Sequence, residues 1–87
     1  MEIIYSLNAL EDLSYWKKQG NKGVQEKISA LIDDIIKHPF TGIGKPEALK
    51  YELFGSWSRR ITHTDRLVYS VNKENNCIEI ETAKGHY

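Results

Sequence analysis

Residues 57–71, WSRRITHTDRLVYSV, decide the fold. Trp57 and Ile61 alternate with Ser58, Arg60 and Thr62; after a turn, Leu67, Tyr69 and Val71 alternate with Arg66, Val68 and Ser70. Successive strand residues point to opposite faces, so this period of two predicts two strands, each with one apolar side. The adjacent arginines must then part. Arg59 shares the face of Trp57 and Ile61, where its stem is expected to lie along apolar surface with its head in water. Arg60 looks out from the other face.

Working outward, Leu49, Tyr51 and Leu53 alternate with Lys50 and Glu52 before a Gly55-Ser56 turn, which predicts a further strand. Beyond the turn NKENN at 72–76, Ile78 and Ile80 alternate with Glu79 and Glu81, predicting another. The β-branched and aromatic EIIYS at 2–6 reads as the first strand. A helix is expected from Ser6 or Asn8 to about Gln19, with Leu10, Leu13 and Trp16 or Lys17 at helical spacing and Asn8 with Glu11 as a capping box. Val24, Ile28, Leu31, Ile32 and Ile35 mark a second amphipathic helix, which must end before Pro39 because a residue preceding proline disfavours helix. PFTGIGKP, 39–46, is a loop that carries Glu47 after Pro46. The expected fold is α+β: two N-terminal helices packed on one face of a mainly antiparallel four- to five-stranded sheet, forming one domain over 1–87. Its uncovered face would carry Lys50, Arg60 and Arg66 together.

Composition narrows the function. Lys plus Arg and Asp plus Glu are 12 each, so net charge gives no case for indiscriminate nucleic-acid binding. Within 44–73, however, Lys45, Lys50, Arg59, Arg60, Arg66 and Lys73 face only Glu47, Glu52 and Asp65, which allows a local positive site. The single cysteine, Cys77, excludes an internal disulfide and a multi-cysteine metal centre and fits a reducing cytosol. MEIIYSLNALEDL has no secretory pattern, and no run approaches a membrane span, so a cytoplasmic location without a membrane partner is expected. Gly42-Ile43-Gly44-Lys45 lacks the spacing of a phosphate loop, and His38, His63 and His86 lack metal-ligand spacing; no metal or cofactor is expected.

Glu47, Lys50, Arg60, Arg66 and the final His86-Tyr87 form a set with chemical content. Cleaving RNA without a metal needs a base for the 2′-OH, cations for charge at phosphorus and an acid for the 5′-oxygen. Residue by residue, a plainer reading competes. Glu47 can be a solvated loop acid, Lys50 and Arg60 outward strand residues, Arg66 a charge at a strand start, and the final pair a frayed end.

The stretch PFTGIGKPEALKYELFGSWSRRITHTDRLVY, with the ending GHY and the Tyr15-Trp16 pair, resembles the YoeB/Txe branch of the RelE/ParE toxin superfamily over essentially the whole chain. Ala48 stands where that family more often has proline. The resemblance implies a type II toxin: a ribosome-dependent endoribonuclease that enters the ribosomal A site, cuts mRNA and is restrained by a cognate YefM- or Axe-like antitoxin; a homodimer is compatible with it. It also implies roles: Glu47 as general base, Arg66 as the cation stabilising the scissile phosphate, His86 as general acid, Lys50 and Arg60 as phosphate-holding positions, and Tyr87 as a terminal aromatic that orients the site or stacks on a base. The alternative is a non-catalytic inhibitor of the ParE kind, which would have no need of a base and an acid at 47 and 86.

Overall fold

A computed structural model describes residues 1–85; His86 and Tyr87 lie outside the described residues. The elements run β1 (Glu2–Tyr5), α1 (Leu7–Lys18), α2 (Lys22–Lys37), β2 (Glu47–Ala48), a 3₁₀ turn (Tyr51–Leu53), β3 (Trp57–Arg60), β4 (Arg66–Asn72) and β5 (Cys77–Thr82). They build one five-stranded sheet in the order β1-β5-β4-β3-β2. β1 pairs parallel with β5, while every other neighbouring pair is antiparallel. Both helices cover one face, as the alternation required.

α2 follows its periodicity: Val24, Ile28, Leu31 and Ile35 are buried, and the Asn21 side chain caps the helix by accepting from the Val24 N–H at 3.1 Å. α1 takes the earlier of its two expected starts. Its cap is Ser6, whose hydroxyl accepts from the Ala9 N–H at 3.0 Å, and not Asn8. The buried stripe accordingly runs through Ala9, Leu13 and Trp16, leaving Leu10 50% exposed. These residues close the core against Ile61, Leu67, Tyr69, Ile78, Ile80 and Ala83.

The expected strand at 49–53 is the main correction. Only Glu47 and Ala48 pair with β3, opposite Ser58 and Trp57, so Glu47 sits on a short edge strand and not in the preceding loop. After Leu49 the chain turns, because Tyr51 adopts φ +57°, a left-handed conformation outside strand geometry. The alternation of Leu49, Tyr51 and Leu53 therefore does not mark one face: Leu49 is buried at 5% exposure, whereas Tyr51 is 92% exposed.

Arg59 is the second correction. It lies on the core face as its parity demands, opposite Leu67, but its side chain is wholly buried. The guanidinium fills its five N–H bonds: Asp34 Oδ2 at 2.5 Å, the carbonyls of His38 at 2.5 Å, Thr41 at 2.9 Å and Ile43 at 3.1 Å, and the Tyr69 hydroxyl at 3.2 Å. Water is replaced at every donor, so the head has no need to reach the surface. The carboxyl of Asp34 is held below its ordinary value chiefly by its hydrogen bond from Arg59.

Candidate active site

The loop between α2 and β2 determines where Glu47 emerges, and Arg59 holds that loop by three carbonyls. Asp34 adds a bond from the Ile43 N–H at 3.1 Å, the Tyr69 hydroxyl donates to Pro39 O at 2.6 Å, and the Arg60 N–H donates to Gly44 O at 2.7 Å. Gly44 has to be glycine. Its φ is +78°, and a Cβ there would lie 2.7 Å from Leu31 Cδ2 and 3.2 Å from Arg59 Cβ. The chain thus passes against α2 and enters β2 with Glu47 already placed.

Register then defines the site. Glu47, Ser58 and Val68 are successive cross-strand partners, and Arg60 and Arg66 are partners in the adjoining row two residues on, all on the face away from the helices. Directly opposed strand residues have Cβ atoms about 4.5–5.5 Å apart and diagonal ones about 7–8 Å, so Glu47 stands one diagonal from Arg60. Like charges directly opposite each other cost stability, and an anion between Arg60 and Arg66 would relieve that repulsion. Arg66 is half-buried and is oriented by bonds from one terminal nitrogen to the carbonyls of Thr62 at 3.0 Å, Asp65 at 3.1 Å and His63 at 3.2 Å. Arg60 is exposed. Lys50 is exposed too, two residues beyond β2, and with Glu47 it lines a surface concavity of about 670 Å³ formed by residues 47–53.

The face is less wet than expected. Ser56, Ser58 and Val68 are buried there, and the Ser56 hydroxyl donates to Glu81 Oε2 at 2.7 Å. A register shift at Val68/Tyr69 accompanies this arrangement: Tyr69 pairs with Ile80 but Val68 with Thr82, leaving Glu81 as the extra residue.

The end of the described chain is bonded at the same place. Ala83 is held by α1, its N–H donating to Asp12 Oδ2 at 2.9 Å and its carbonyl accepting from Trp16 Nε1 at 2.8 Å. Two residues on, the Gly85 N–H donates to Asp65 Oδ1 at 2.8 Å and its carbonyl accepts from the Arg66 N–H at 3.0 Å. Burial pushes the Asp65 carboxyl up, but the Gly85 N–H, the Thr62 and Thr64 hydroxyls and the charge of Lys84 outweigh it, and the group is held below its ordinary value. The structure therefore brings Glu47, Arg60 and Arg66 to one face with Lys50 at its margin, while the expected positions His86 and Tyr87 fall outside the described residues. Asp12, Trp16, Asp34, Arg59 and Asp65 support this arrangement and were not anticipated. Arg59 left a signal, because a cation on the apolar side of a strand needs a counter-ion.

A family model described as YoeB-like toxin of bacterial type II toxin-antitoxin system matches residues 5–87. The chain belongs to this family. The curated Toxin YoeB of Escherichia coli K12 is 42% identical over 87 residues, with both chains covered in full. Among solved structures, the YoeB/ParE toxin from Agrobacterium tumefaciens superposes with a TM-score of 0.95 at 37% identity, covering 100% of both chains. The toxin of a heterotetrameric YoeB-YefM complex from Staphylococcus aureus gives 0.87 at 43% identity, and a YoeB dimer from the same organism 0.88 at 43%; each covers 100% of this chain and 98% of the other. The protein is thus the toxin of a type II toxin-antitoxin pair.

Proposed function

We propose that this YoeB-family toxin is a ribosome-dependent endoribonuclease that cuts mRNA in the ribosomal A site. The observation that carries the reading is the placement of Glu47 one diagonal from Arg60, with Arg66 directly across from Arg60, on one open face. The Glu47 carboxylate takes the proton of the 2′-OH, and the 2′-oxygen attacks the adjacent phosphorus. Negative charge grows on the non-bridging oxygens, where Arg66 stabilises it as a fixed cation while Arg60 holds the phosphate beside it. The bond from phosphorus to the 5′-oxygen breaks, His86 gives that oxygen a proton, and the products are a 2′,3′-cyclic phosphate and a 5′-hydroxyl. Gly85 bonded to Asp65 and Arg66 supports this role for His86, the next residue in the chain. Lys50 holds the backbone nearby, Tyr87 orients the site, and the attacking group comes from the substrate, so neither metal nor cofactor is required. The site works in the cytoplasm, where translating ribosomes are. A YefM-like antitoxin covers the cationic face, and a homodimer is the proposed assembly, by analogy with the Staphylococcus aureus proteins.

The attacking group provides the test. An mRNA with one 2′-deoxy nucleotide immediately 5′ of the cut should bind programmed ribosomes with the toxin yet stay whole, and a normal rate of cutting would make water the nucleophile. Glu47→Ala, Arg66→Ala and His86→Ala should each lower the cleavage rate by roughly two to four powers of ten. Growth arrest that survives all three substitutions would point instead to inhibition by binding alone.

A further inference from the structure

Two exposed aromatic rings follow Glu47 closely in the chain and have no part in the chemistry above. Tyr51 is 92% exposed and Phe54 86%, on the turn that starts from Lys50. The turn is not slack. The Leu49 N–H donates to Ser56 O at 2.9 Å and closes it, and inside it Leu53 N–H bonds Lys50 O at 3.1 Å, Phe54 N–H bonds Tyr51 O at 3.0 Å and Ser56 N–H bonds Leu53 O at 2.9 Å. Tyr51 sits at φ +57°, a conformation unfavourable for a bulky residue, and persists there because these bonds over-determine it. Strained backbone that holds an aromatic ring in solvent forgoes the burial an isolated domain would favour, and such exposure marks a contact surface.

We infer that Tyr51 and Phe54 form a stacking subsite for a nucleobase of the message, next to the nucleotide whose 2′-OH meets Glu47; the inference rests on the ribonuclease reading. Bases pulled from a single strand stack on aromatic faces, and a cation alongside takes the backbone. Here Lys50 is that cation, and the concavity lined by residues 47–53 begins at Glu47 itself. Its volume of about 670 Å³ lies in the range of about 300–1,000 Å³ typical of sites for small organic groups.

The test uses ribosomes programmed with an mRNA carrying 2-aminopurine beside the cut, and toxin bearing Glu47→Gln so that binding is read without cleavage. Stacking should quench the fluorophore. Tyr51→Ala and Phe54→Ala should each weaken that binding roughly 5- to 150-fold, and in the cleavage-competent protein they should raise KM more than they lower kcat. Tyr51→Trp and Phe54→Trp, which keep a ring, should restore the quenching. Undiminished quenching in the double alanine variant would overturn the inference, as would a lost affinity for antitoxin or for a second copy with quenching intact. The two readings fail separately: if unsubstituted toxin never cuts, the ribonuclease reading falls, whereas if it cuts and the alanine variants quench normally, only the stacking subsite falls.

Discussion

Arg59 and Arg60 are neighbours in sequence with opposite fates, and parity accounts for both. One step along β3 moves a guanidinium from the helix-covered face to the open one, so Arg59 becomes a buried tie for the loop and Arg60 an exposed cation of the site. Removing the tie should be costly. Arg59→Met leaves Asp34 and three carbonyls without their donor and should destabilise the fold by about 3–5 kcal/mol, measured by urea unfolding; a loss under about 1 kcal/mol would show that water replaces the guanidinium without penalty. A second residue-scale prediction concerns acid. Asp34 and Asp65 are both held below the ordinary carboxylate value in the folded chain, so their stabilisation is complete above that value and is lost as pH falls through their lowered values. Melting temperature should therefore drop below about pH 4, and less steeply in Asp65→Asn, which has already given up its part. An acid limb equally steep in Asp65→Asn would mean that its bonds to Gly85 and Thr62 contribute nothing to pH-dependent stability.

At the scale of elements, legibility followed the strength of the periodic signal. α2 and strands β3 to β5 were readable because burial against a single core imposes a clean period on each. The turn at 51–53 was not, since Tyr51 and Leu53 imitate strand alternation while one torsion angle, invisible in composition, reverses the chain. The start of α1 stays open between Ser6 and Asn8 in the sequence for a related reason: both are good caps, and only the sheet decides between them, because the Ser6 N–H must donate to Ile80 O and its hydroxyl to Glu81 O. Of the candidate site, Arg60 and Arg66 could be placed by parity, whereas Glu47 and Lys50 could not, because the expected strand at 49–53 does not form; nor could the tertiary ties that aim the side chains, since they join residues as distant as Trp16 and Ala83. That tie can be tested. Trp16→Phe keeps an aromatic body but leaves the buried Ala83 carbonyl unpaired, which should lower stability by about 1–3 kcal/mol. Because Ala83 precedes the Gly85 contact with Arg66, mRNA cutting should fall as well, at temperatures where the variant is fully folded. Full activity in a folded Trp16→Phe protein would show that the Asp65 and Arg66 contacts suffice to place the chain end.

For the molecule as a whole, charge is a matter of arrangement. A net charge of zero gives no long-range pull toward RNA, yet the fold sorts its ions: Arg59 is spent on Asp34 inside, Glu81 is engaged by Ser56, and Arg60 and Arg66 are set opposite each other on the open face with Lys50 nearby. Binding to a single-stranded RNA should therefore behave as the work of a few phosphate contacts and not of a general field. With Lys50, Arg60 and Arg66 each neutralising one phosphate, the slope of log affinity against log salt should be about −2, since single strands release about 0.7 counter-ion per contact. Arg60→Ala should reduce the slope by about 0.7 and weaken binding similarly across sequences, because a phosphate contact carries no base information. The same substitution removes the Arg60/Arg66 repulsion and should raise stability by a few tenths of a kcal/mol. Fluorescence titrations across a salt series, with urea unfolding of the same variant, check both signs. A slope near zero in the unsubstituted protein would mean that these cations do not meet phosphate, whereas a slope far steeper than −2 would place further lysines along the RNA path.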